Sequence, residues 1–134
     1  MKGVIDVNDP INQLSGKLVD IAYYVHTNLG PGLFESVYED VTFLEIKKAG
    51  FFVERQKPIL LSWDGKLIDR PAFKADIIVE KKVLIEIKSV ESLAPVHLKQ
   101  VETYLRLSGL KLGLLLNFNS AYFKDGIRRI VNKL

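Results

Sequence analysis

Apolar positions divide the chain into a helical first third, an extended middle and a mixed last third. Asp9-Pro10 supplies a capping side chain and a proline suited to a first helical turn. Behind it, Ile11, Leu14, Leu18, Ile21, Ala22, Val25 and Leu29 recur three and four apart, which predicts one buried stripe on a helix. Gly30-Pro31-Gly32 should end that helix, because glycine accepts the left-handed C-terminal conformation and proline cannot continue the ladder. A second helix is expected from Leu33 or Phe34 to Ala49, stopped by Gly50, with Phe34, Val37, Tyr38, Val41, Leu44 and Lys48 along its inner stripe.

From Phe51 the period shortens. Phe51 to Lys57 reads as an extended run, and Pro58 marks an edge or bulge. Ile59–Trp63 and Lys66–Ile68 flank Asp64-Gly65, a two-residue hairpin signal. Beyond Arg70-Pro71 lies FKADIIVEKKVLIEIKSV, residues 73–90, which reads as two strands about the turn Glu80-Lys81-Lys82. A turn centred on Lys81 sets Val79 against Val83, Ile77 against Ile85 and Asp76 against Glu86. One face of this ribbon is then Ile77, Val79, Val83, Ile85 and Ile87, while the other, expected to face water, carries Lys74, Asp76, Glu86 and Lys88. A register slip of one residue separates the carboxylates, but the apolar alternation opposes it.

A third helix is expected from Pro95 to Ser108, closed by Gly109, with Leu98, Val101, Leu105 and Ser108 inward and His97, Gln100 and Tyr104 on a neighbouring stripe. Leu112–Leu116 reads as a buried strand. The right-handed strand–helix–strand rule places it parallel to Val83–Lys88. Around Asp125-Gly126 the pattern is open between a short strand and a helical turn. With no repeat or linker, residues 1–134 read as a single α/β domain: a mixed central sheet with an antiparallel meander and one parallel crossover, flanked by helices.

Composition narrows the setting. Hydrophobic residues at 48% and charged residues at 26% are ordinary globular values, so neither disorder nor a fibrous chain is indicated. The absence of cysteine excludes disulfides and thiolate zinc sites. The opening MKGVIDVNDP lacks the apolar core of a secretory leader, and no apolar run approaches the roughly 20 residues of a membrane helix. A cytoplasmic protein with no membrane partner is the expectation. The net charge of +3 resides in residues 121–134, where Lys124, Arg128, Arg129 and Lys133 face one Asp125; a solvated surface and a phosphate-contacting patch are both compatible with it.

The chemistry concentrates on the ribbon. Glu86 and Lys88 share a face about 7 Å apart along a strand. Two facing carboxylates repel and resist ionisation in a half-buried site unless a cation neutralises them. Oxygen ligands suit a hard ion such as Mg2+, with Mn2+ as a substitute, and a neighbouring lysine can position a water or offset phosphate charge. The same residues also suit a solvated face in which Lys74 and Lys88 pair with Asp76 and Glu86. Glu35, in a first helical turn, is favourable against the helix dipole without any metal. Gly30-Pro31-Gly32 has no phosphate-loop pattern, and neither His26 nor His97 has a partner at metal-ligand spacing.

Asp76, then Glu86-x-Lys88, resembles the core motif of the PD-(D/E)XK nuclease superfamily. Gly32-Leu-Phe-Glu35-Ser-Val-Tyr38 is similar to the signature of the GxxExxY family within it. Gln100-x-x-x-Tyr104 and Leu112-Gly-Leu-Leu-Leu-Asn117-Phe118 extend the likeness from about Leu29 to Arg129. The resemblance implies a restriction-endonuclease-like core and a metal-dependent nuclease acting on nucleic acid, DNA foremost. It implies Asp76, Glu86 and the Ile87 carbonyl as metal ligands, Glu35 as the helix-borne acid completing the site, and Lys88 serving the hydrolytic water. Tyr38, Gln100 and Tyr104 become supporting or substrate-touching residues. Ala75 stands where the motif name has proline. The chain's small size leaves room for a different reading, a non-catalytic nucleic-acid-binding or assembly module, and for specificity supplied by a partner or a homodimer.

Overall fold

The computed structural model describes residues 9–133; the leading MKGVIDVN segment, read above for a leader, and Leu134 lie outside them. Helix α1, Pro10–Leu29, starts where Asp9 Oδ1 accepts from the Ile11 amide at 3.0 Å, and Pro10 occupies the first turn. Leu14, Leu18, Ala22 and Val25 are buried along the expected stripe. The helix stops at Gly30, whose φ of 72° is a backbone conformation that glycine, lacking a Cβ, adopts readily.

Helix α2, Glu35–Lys48, follows after one tight turn. The turn is pinned by Tyr38, whose hydroxyl donates to the Gly30 carbonyl at 2.5 Å and accepts from the Leu33 amide at 3.1 Å. The expected inner stripe of α2 holds only at Tyr38, fully buried, and Val41, half-buried against the core. Phe34 is 82% exposed and Leu44 60% exposed, while Tyr38, Glu39, Thr42 and Ile46 are buried. Apolar residues are scattered round this helix, so the Tyr38–Thr42–Ile46 line, with a threonine at its centre, gave no clear periodic signal.

Strands β1 (Val53–Trp63), β2 (Lys66–Val79), β3 (Val83–Lys88), β4 (Leu112–Asn117) and β5 (Ile127–Val131) form one sheet in sequence order, with helix α3, Pro95–Ser108, between β3 and β4. Every neighbouring pair is antiparallel except β3 with β4, the expected crossover. The runs on either side of Pro58 fuse into β1. Its place at the sheet edge tolerates a proline with no amide to donate. Likewise Arg70-Pro71 does not divide the next strand; β2 runs through it, with ladder irregularities around Leu60 opposite Pro71. Asp64 and Gly65 both take positive φ in a two-residue turn joining Trp63 to Lys66. The ambiguous C-terminal stretch is both a 3-10 turn, Phe123–Gly126, and the strand β5.

Two hydrophobic clusters sandwich the sheet. Ile77, Val79, Val83, Ile85 and Ile87 meet α1 and α2, including Leu18, Val25 and Tyr38. On the opposite face Ile78, Leu84 and Leu115 meet Val101 and Leu105 of α3. Gly113 permits that approach, since a Cβ there would lie 2.8 Å from Val101 Cγ1. The ribbon face expected to be watery is therefore largely covered by α3.

Candidate active site

The β2–β3 ladder pairs Val79 with Val83, Ile78 with Leu84 and Ile77 with Ile85, then stops. The next step brings Asp76 and Glu86 together, and there the strands diverge. Instead of a backbone carbonyl, Asp76 Oδ2 accepts from the Ile87 amide at 2.8 Å. A side chain has taken the place of a ladder bond.

Alternation also breaks at Asp76. Residues two apart on a regular strand share a face, yet Ala75 packs in the α3-side cluster and Ile77 in the cluster of α1 and α2. The ribbon turns over at this point, and alternation carries Lys74 to the face opposite Phe73 and Ala75. Lys74 is thus separated from the face of Glu86, where the sequence pattern had grouped it.

Glu86 projects with Leu84 toward α3 and is only 5% exposed. Its Oε1 is buried without a hydrogen-bond partner. Burial raises its pKa from the ordinary carboxylate range to about 9, reinforced by hydrogen bonding to Asp76 and by Asp76's charge, and opposed by Lys88. Lys88 lies two residues along β3, half-buried. Among the described residues, no ion pair joins Lys74 or Lys88 to Asp76 or Glu86. Tyr104 stacks on Phe73 with ring centroids 3.8 Å apart. Desolvation, then the charges of Glu86 and Asp76, raise its hydroxyl pKa, which places α3 beside both carboxylates. Gln100 lies one turn earlier on α3, half-buried.

Glu35 approaches from the other side. It is exposed in the first turn of α2, and its Oε2 accepts from the Ser89 amide at 3.3 Å, just past Lys88. Ser89 Oγ donates to the Leu33 carbonyl at 2.7 Å, so the helix start is latched to the strand exit. Asn117, 1% exposed, holds the next residue by accepting from Val90 N and donating to Val90 O, both at 3.0 Å. Tyr38 is fully buried, stacked on Phe118 at 4.7 Å, with its hydroxyl engaged in the Gly30 turn.

Three residues that the sequence reading passed over complete the surroundings. Glu39 on α2 is 9% exposed; its Oε2 accepts from Arg55 Nε at 3.3 Å and Nη2 at 2.8 Å, and its Oε1 accepts from Gln56 Nε2 at 2.7 Å. Gln56 Nε2 also reaches Asp76 Oδ1 at 3.4 Å. The spacing of Glu35 and Glu39, four apart, was the available signal for Glu39. Apolar Phe34 and Leu44, both exposed, mask it by suggesting a different inner stripe. Nothing in the sequence marks Gln56.

A family model for the PD-(D/E)XK nuclease superfamily matches residues 12–130. The chain belongs to the PD-(D/E)XK nuclease superfamily. No curated protein and no solved structure matches it. Ala75, which precedes Asp76, is fully buried against the α3 cluster.

Members of the superfamily typically use divalent metals. The donor set here suits one: Asp76 and Glu86 offer hard oxygen ligands, and the orphaned, desolvated Glu86 Oε1 lacks the positive charge that would ionise it. Among the described residues no group of three or more acidic or histidine side chains is gathered closely enough to hold a metal, so Glu35 stands apart from the Asp76–Glu86 pair. No helix among them is long and apolar enough to cross a membrane.

Proposed function

We propose that this protein is a divalent-metal-dependent nuclease of the GxxExxY family that hydrolyses phosphodiester bonds in nucleic acid, DNA foremost. The observation that carries the reading is the buried Glu86 carboxyl with an unpartnered oxygen beside Asp76. A structural carboxylate so placed destabilises the fold, whereas a cation site requires such a group.

Asp76, Glu86 and the Ile87 carbonyl would hold Mg2+ or Mn2+, with Glu35 drawn in from α2. When bound, the ion supplies positive charge against the charge that develops on the phosphate. Lys88 Nζ orients a water for in-line attack, so that the water oxygen bonds to phosphorus and gives up a proton to solvent, while the bond to the leaving sugar oxygen breaks and that oxygen takes a proton from solvent. The positive charge of Lys88 offsets the negative charge on the oxygens of the pentacovalent centre. Tyr104 and Gln100 line the approach from α3, where the Tyr104 hydroxyl can donate to a phosphate oxygen.

The test is cleavage of supercoiled plasmid and of single-stranded DNA, with and without Mg2+, by wild type and by folded Lys88→Ala and Glu86→Ala variants. Metal-dependent cleavage lost in both variants is the expected result. Cleavage that survives unchanged in both sinks the assignment, and salt-sensitive DNA binding without turnover under any divalent metal favours a binding module instead.

A further inference from the structure

We infer that Gln56 is a positioning residue for Asp76, anchored by Glu39 on α2; this rests on the reading of Asp76 and Glu86 as a metal site. Gln56 lies on the edge strand β1 between Arg55, which pairs with Ile77, and Lys57, which pairs with Ala75. It therefore stands across from Asp76, where the ribbon turns over. Its φ is 50°, in the left-handed region that a glutamine adopts only when its surroundings hold it there.

Those surroundings are specific. The Gln56 amide has two N–H donors. It gives to Glu39 Oε1 at 2.7 Å and makes a longer contact to Asp76 Oδ1 at 3.4 Å. Glu39 is itself fixed, because Arg55 grips its other oxygen through both Nε and Nη2. Arg55 also bonds Asp40 and lies 5.1 Å over the Phe43 ring. A continuous line thus runs from the buried side of α2 to one oxygen of Asp76, while the Ile87 amide holds the other at 2.8 Å.

With both oxygens restrained, the carboxylate plane is set before any cation arrives. The chemical type of the donor matters. An arginine or lysine at position 56 would neutralise Asp76 and compete with a metal, whereas a neutral amide orients the carboxylate and leaves its charge available. Arg55 is kept to the far side of Glu39, where its charge answers Glu39 and Asp40.

The decisive variant is Gln56→Gly, because glycine accepts a φ of 50° more readily than glutamine and deletes the amide. Thermal unfolding, Mn2+ binding by calorimetry, and kcat and KM on a DNA substrate are measured on wild type and variant. The inference expects only a small change in unfolding temperature, because relief of the positive φ opposes the loss of the Glu39 hydrogen bond, Mn2+ affinity roughly 10–100-fold weaker, as removal of a residue supporting a metal ligand commonly gives, and a loss carried by kcat more than KM. Wild type that binds Mn2+ and cleaves DNA, with Gln56→Gly matching it in both, overturns the positioning role and leaves the nuclease reading intact. Wild type that neither binds Mn2+ nor cleaves overturns both.

Discussion

The ends of β2 and β3 place two carboxyl groups side by side in opposite surroundings. Around Asp76 the chain supplies donors: the Ile87 amide meets one oxygen and Gln56 the other. Around Glu86 it supplies burial and a neighbouring negative charge, and leaves Oε1 unpartnered. Elsewhere the same fold handles a buried carboxylate differently, since Glu39 is gripped by Arg55 and Gln56. The contrast teaches that the isolation of Glu86 is local and specific. It is the kind of unsatisfied group that native structures keep at functional sites.

The largest expected effect on this comparison removes its shared product. Asp76→Asn and Glu86→Gln should each reduce metal-dependent DNA cleavage by roughly 100-fold or more, read as initial rates at saturating Mg2+. Without metal the two regions should part company. Glu86→Gln removes a carboxyl that must stay protonated for the chain to fold and should stabilise the metal-free protein at pH 8 by about 1–3 kcal/mol, whereas Asp76→Ala leaves the Ile87 amide without its partner and should cost about 1 kcal/mol. Urea unfolding in EDTA measures both.

The pH dependence sharpens the same point. Glu86's folded pKa of about 9 lies above the ordinary glutamate value of 4.5, so the folded state holds an extra proton between them. Stability linked to this group is fully present below pH 4.5 and is lost as pH rises through that window towards about 9. Melting temperatures of metal-free wild type from pH 5 to 9 should fall relative to Glu86→Gln, with Asp76, Lys88 and Tyr104 present in both. Metal uptake must displace that proton, so Mn2+ affinity should increase with pH over the same range, and calorimetric enthalpies should depend on the buffer. The smallest effect is expected from Tyr104→Phe, which retains the stack on Phe73 and removes only the hydroxyl: a several-fold loss in kcat with little change in stability.

Much of this arrangement was legible in the chain because its signals are local. The alternation through Ile77, Val79, Val83 and Ile85 set the ribbon register, and Asp9-Pro10 and Gly109 marked a helix start and a helix end. The Asp64-Gly65 turn was equally direct. The burial of Glu86 was not legible, since it depends on α3 covering the second ribbon face from the far side of a crossover. Nor was the inward face of α2, where Glu39 and Thr42 are buried while Phe34 and Leu44 are exposed. A left-handed glutamine opposite Asp76 is a property of the assembled sheet, and composition around Gln56 carries no trace of it.

Anomalous scattering from crystals grown in Mn2+ tests the central claim most directly. The account predicts a manganese peak in contact with Asp76 and Glu86 that disappears in Glu86→Gln crystals. Fully occupied manganese elsewhere on the molecule with none between these two side chains, at concentrations that support cleavage, would contradict it.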